Sequence, residues 1–91
     1  MKFKATYYDV ETDKSVTKNC VEIDYNNFER NFSFTPVDDP PSIYKSVIID
    51  PTRLSIYQNE RGIRIIVEGY QRMKDGGYGG TKTTIESVRE D

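Results

Sequence analysis

The chain is predicted to fold as one all-β domain over 1–91, a small antiparallel barrel or sandwich of six to seven short strands with little or no helix. Three observations lead there. Apolar and polar residues alternate with period two in four separate segments. Turn-forming residues interrupt those segments at short intervals. No strong amphipathic helix separates the strands, so nothing suggests parallel βαβ units.

Residues 2–10 are rich in Phe, Tyr and Thr and place Phe3, Ala5 and Tyr7 on one face. Glu11-Thr12-Asp13-Lys14 is a polar turn. A half-buried strand runs from Val16 to Tyr25, with Val21, Ile23 and Tyr25 on one side and Glu22 and Asp24 on the other. Its phase before Cys20 is irregular, which suggests a bulge near Asn19. After a turn at Asn26-Asn27, residues Phe28, Arg30, Phe32 and Phe34 alternate with Glu29, Asn31, Ser33 and Thr35.

Pro36-Val37-Asp38-Asp39-Pro40-Pro41 reads as a loop, because three of its six residues lack a backbone donor. Ile43 to Ile49 is a further β-branched strand, stopped by Asp50-Pro51. Residues 50–62 admit two readings. Asp50 as N-cap, Pro51 at N1 and Gly62 past the end would frame a helix. The alternation of Leu54 and Ile56, followed by Asn59-Glu60-Arg61-Gly62 as a turn, favours a hairpin onto Ile63–Gln71, the most apolar strand. Thr81 to Arg89 reads as a last strand, with a short helix capped by Thr83 and Glu86 as the alternative.

Residue types exclude much chemistry. The chain has no histidine and one cysteine. The usual general base at neutral pH and the commonest metal ligand are therefore missing. A lone thiol makes neither an internal disulfide nor a Cys-rich zinc site. Asp9, Glu11 and Asp13 alternate as at the start of a calcium loop, but Lys14 stands where that loop needs Gly, and Cys20 where it needs Glu. The run Gly76–Thr83 approaches a phosphate-binding loop, but Thr81 occupies a Gly position and only eight residues follow Thr83. Cys20 reads as a small core residue, and Glu68 as a solvent-facing one. The expectation is a non-enzyme with no catalytic residue, no metal and no cofactor.

The formal net charge is −2, and the positive residues are scattered, which argues against a phosphate-tracking groove. The longest aliphatic runs are three residues, too short to span a bilayer. The basic opening lacks the apolar stretch of a signal peptide. A lone unpaired cysteine fits a reducing, cytoplasmic setting.

What remains is recognition. With seven Tyr and four Phe in so short a chain, exposed aromatic anchors are expected. Gly76-Gly77-Tyr78-Gly79-Gly80 reads as a mobile loop, Met73–Gly80, carrying one large contact group. Tyr78, with Met73, Lys74, Tyr70, Arg72 and Arg64, is the candidate binding surface. An unpaired strand edge is a second, open to a partner's strand or to a homodimer. In size, mild acidity and lack of catalytic residue types, the chain resembles the small stoichiometric inhibitors of phages and mobile elements, such as anti-CRISPR proteins. That resemblance implies a host protein as partner. The functional expectation is a protein-binding module. The alternatives are an OB-like single-stranded nucleic-acid binder, favoured if Arg64, Arg72 and Lys82 gather beside Tyr70, and a structural component of a virion or other assembly.

Overall fold

The computed structural model describes residues 2–37 and 46–88. Six strands follow one another: β1 (Lys2–Asp9), β2 (Lys14–Asn26), β3 (Asn31–Pro36), β4 (Val47–Asn59), β5 (Gly62–Arg72) and β6 (Tyr78–Val88). Each pairs antiparallel with the next, and β6 closes onto β1. The result is a closed up-and-down barrel, and no described residue is helical. Closure decides barrel over sandwich, and strand over helix for both 54–59 and 83–88.

Inward residues alternate along the wall. Ala5, Tyr7, Cys20, Phe32, Phe34, Ile49, Val67 and Ile85 form the core. The Tyr7 ring meets Phe34 edge-on, with centroids 5.3 Å apart. Burial of Phe34, fully inaccessible, contributes roughly 2–3 kcal/mol.

Several local expectations need correction. The bulge in β2 lies between Val21 and Asp24, not near Asn19, and Glu22 adopts φ 55° there. The extra residue reverses the phase. Ile23 packs against the core, while Val21, predicted on the same side, pairs with Thr35 and is half exposed. Phe28 and Arg30 belong to a turn rather than a strand. The Asn26 carboxamide oxygen accepts the N–H groups of Phe28 and Glu29, Arg30 donates from its N–H to the Asn26 carbonyl, and Phe28 is left 96% exposed. The side chain of Asn26 thus accepts alongside its own backbone carbonyl, and together they hold the turn.

Asp50-Pro51 does not stop a strand. β4 runs through it, with an irregularity between Pro51 and Arg53. Three features make this passage workable. Beyond Ile49 no described strand pairs with β4 on its β3 side, so the donor Pro51 lacks is not missed there. Thr52 donates its hydroxyl to the Glu68 carbonyl at 3.2 Å. Gly69 has no side chain where the Asp50 carbonyl crosses it. At the far end, Asn59 accepts the Arg61 N–H and Gly62 adopts φ 139°, as the predicted hairpin turn requires.

The glycine loop is shorter than predicted. Met73 and Gly77 close it with a backbone bond of 2.7 Å, Asp75 caps the Gly77 N–H, and Gly79 and Gly80 are already in β6. Asp38, Asp39 and the predicted strand start at Ile43 lie outside the described residues, as does Arg89.

Candidate functional site

β5 sets the geometry of the site by strict alternation. Val67, Gly69 and Gln71 turn inward and are buried, while Arg64, Glu68, Tyr70 and Arg72 turn outward. The register with β6 then fixes the neighbours. Tyr70 stands opposite Gly80, Arg72 opposite Tyr78, and Glu68 opposite Lys82. On the β4 side, Tyr70 stands opposite Asp50 and Glu68 opposite Arg53.

Tyr70 and Tyr78 are thus diagonal neighbours on one face, with Cα atoms roughly 7–8 Å apart or less. Tyr70 is 52% exposed and Tyr78 62%. Between and below them Gly80 gives an open floor, since nothing lies within 4 Å of where its Cβ would be. A shallow depression continues from this floor, lined by Thr52, Glu68, Tyr70, Thr81 and Lys82. Arg72 and Lys82 supply positive charge on either side of Tyr70; Glu68, opposite Lys82, and Asp50, opposite Tyr70, supply negative charge. Aromatic faces on a rigid strand pair, a bare backbone floor and mixed charge suit recognition of a surface rather than enclosure of a small molecule.

Not every predicted residue joins this group. Arg64 shares the outward face but lies six residues, or about 20 Å, along β5 from Tyr70. There it pairs with Glu86 at 3.4 Å. The Met73 side chain lies across Gly79 and is half buried. Lys74 pairs with Glu11 at 3.6 Å, in a separate depression between the β1–β2 and β5–β6 turns. Gly80 was missing from the predicted set, and Lys82 was named only for the nucleic-acid alternative. Their signal was countable only once the loop was known to close at Gly77, because that closure decides which β6 residue faces Tyr70.

The other candidates resolve into structural roles. Asp9 spends both carboxylate oxygens within its own turn, on the Glu11 N–H and the Thr12 hydroxyl. Tyr8 donates its hydroxyl to Asp13, and that bond holds the phenol above its ordinary pKa. Cys20 is 4% exposed, and burial pushes its thiol up to about 11, the opposite of an activated nucleophile. Gly76–Gly80 feeds a strand rather than a helix, so its amides build no helix-terminal phosphate cradle. Among the described residues no three His, Cys, Asp or Glu side chains are placed to share a metal ion. No helix among them is long and apolar enough to cross a membrane. Comparison with protein-family models, with curated proteins and with solved structures finds no match to this chain.

Proposed function

We propose that the chain is a non-enzymatic protein-binding module that docks through the Tyr70–Tyr78 face of β5 and β6. One observation carries the reading: two half-exposed tyrosines flank an open glycine floor on a hydrogen-bonded strand pair. Tyrosine offers large contact area at low entropic cost, and here the strands, not a loop, hold it in place. The partner's surface would be mixed in charge, answering Arg72 and Lys82 on one side and Glu68 on the other. The small size and mild acidity fit a stoichiometric inhibitor of a host protein, acting in the cytoplasm.

The test is a pair of variants, Tyr70→Ala and Tyr78→Ala, used as bait beside the parent chain in quantitative affinity capture from the native host. Each should leave the melting temperature nearly unchanged and weaken binding of the captured protein by about 1–3 kcal/mol. Equal capture by all three baits would end the assignment of this face.

One observation favours a second reading, single-stranded nucleic-acid binding: Arg72 and Lys82 flank Tyr70 on one face. Bases could stack on the two tyrosines while the cations meet phosphates. Against it, Arg64 lies at a distance and is paired with Glu86, Glu68 and Asp50 interrupt the positive charge, and the strand order is a six-stranded meander rather than a five-stranded Greek key. Fluorescence anisotropy with a labelled oligothymidylate at two salt concentrations separates the readings. Salt-sensitive binding that Tyr70→Ala abolishes would favour nucleic acid, and no binding would favour protein.

A further inference from the structure

We infer that β4 pairs with β4 of a second copy of this chain, forming a two-fold dimer across residues 53–57. The inference stands apart from the docking face proposed above, because it uses a strand edge rather than the outer surface of β5 and β6.

The edge comes from unequal strand lengths. β3 pairs with β4 only at Val47, Ile48 and Ile49. β4 continues for ten residues past Ile49, and along that stretch β5 is its only partner among the described residues. The barrel is closed above, so this is the one long run of the β4 ladder that it leaves on an edge among those residues. Strand edges are normally blunted by proline, bulges or charge. Here Pro51 and the adjoining irregularity blunt only the upper end. Leu54-Ser55-Ile56-Tyr57-Gln58 follows with no charge and no proline. Ile56 is 63% exposed, Tyr57 55% and Leu54 38%.

The occupant follows from self-complementarity. Residues directly opposite in an antiparallel pair share a face. Leu54 and Ile56 stand on the face of Val67 and Ile65, and Arg53, Ser55 and Tyr57 on the other. A two-fold axis through Ser55 sets Leu54 against Ile56 of the second copy, and Ile56 against its Leu54, which covers both exposed aliphatic groups. On the opposite face it sets Arg53 against Tyr57 of the second copy, a cation on an aromatic face, again twice. No like charges meet across residues 53–57. A foreign strand would have to supply this pattern; the chain already carries it. So short an edge buries less than a standard interface, so the dimer forms reversibly and with concentration. It would also present two copies of the Tyr70–Tyr78 face, a bivalent arrangement.

The test is sedimentation velocity over a dilution series, with cross-linking as an independent arm. The parent chain should move from monomer toward dimer as concentration rises. Ile56→Lys should stay monomeric throughout while melting as the dilute parent does. Ser55→Cys should form a covalent dimer on mild oxidation, because the axis brings the two thiols together and Cys20 is buried. Lys4→Cys, exposed on β1, should not. The cross-linking arm does not depend on how Ile56→Lys folds. A parent chain monomeric at every concentration would overturn the inference. So would a dimer that survives Ile56→Lys, or oxidation that links Lys4→Cys as readily as Ser55→Cys.

Discussion

β1 and β4 each outrun a neighbour, and the molecule treats the two places differently. β1 loses β6 after Thr6, which pairs with Thr84. β4 loses β3 after Ile49. At the first place the wall is sewn shut by a side chain: the Gln71 carboxamide, 2% exposed, donates to the Tyr8 carbonyl at 2.8 Å. Tyr7 beneath it is buried. At the second place no described residue performs that task, and Leu54 and Ile56, though on the inward-facing side of their strand, reach solvent. Alternation therefore assigns a face, but burial needs a neighbour on that face. A single amide of the right length supplies one for β1, and β4 lacks it.

The largest expected difference comes from truncating one residue in each place. Tyr7→Ala removes a buried ring packed edge-on against Phe34 and should cost about 3–5 kcal/mol. Ile56→Ala removes a mostly exposed side chain and should cost under about 0.5 kcal/mol in dilute solution. Urea unfolding of both variants measures this. Equal losses would mean that the β4 arm is covered in solution.

A smaller effect should follow from cutting the stitch itself. Gln71→Ala should cost about 1–2 kcal/mol, since it leaves the part-buried Tyr8 carbonyl without its donor, a loss partly offset because the buried Gln71 Oε1 has no partner among the described residues. Native-state hydrogen exchange should show the loss as faster exchange near Tyr7–Asp9, with Leu54–Gln58 unchanged. Acceleration confined to β4 would contradict the stitching role.

The stitched region also explains what the sequence could reveal. Six strand cores and the Asn59–Gly62 turn were legible, because alternation and turn chemistry are local. The β2 bulge was placed wrongly because Val21, Ile23 and Tyr25 alternate without a break; only the pairing with Thr35 and Ser33 exposes the extra residue. Pro51 was read as a stop because the freedom of the β4 edge is a property of where β3 ends. Of the candidate site residues, the register puts Tyr70, Arg72 and Tyr78 on one face of β5 and β6. Arg64, Met73 and Lys74 were grouped with them by chain proximity, whereas register and turn closure send each elsewhere.

Next in size is a change in the opposite direction. Thr83 is fully buried, and its hydroxyl oxygen has no hydrogen-bond partner among the described residues. Thr83→Val keeps the shape and removes an unpaired polar group, so it should raise stability by about 1 kcal/mol. It sits on β6 opposite Val67, one residue beyond the last β1–β6 pair at Thr6 and Thr84. A loss of stability in thermal or urea unfolding would show that the hydroxyl is satisfied in solution.

The smallest effect concerns the turn above the stitch. Tyr8 donates to Asp13, and this bond, followed by burial and then by the charges of Asp13 and Asp9, raises its pKa. A raised folded value means that the folded state holds the phenolic proton more tightly than the unfolded chain does. The stabilisation is therefore complete below the ordinary tyrosine range. It is lost as pH rises through that range to the folded value, because the unfolded chain then binds fewer protons than the folded one. Asp13→Asn removes the charged acceptor and should return the Tyr8 titration toward the ordinary range, read from phenolate absorbance difference spectra. It should also flatten the alkaline fall in stability, but only slightly, because the pair is exposed and salt screens it. If Asp13→Asn leaves the Tyr8 titration in place, the bond to Asp13 does not hold the phenolic proton and the turn beside the stitch is not the source of the alkaline sensitivity.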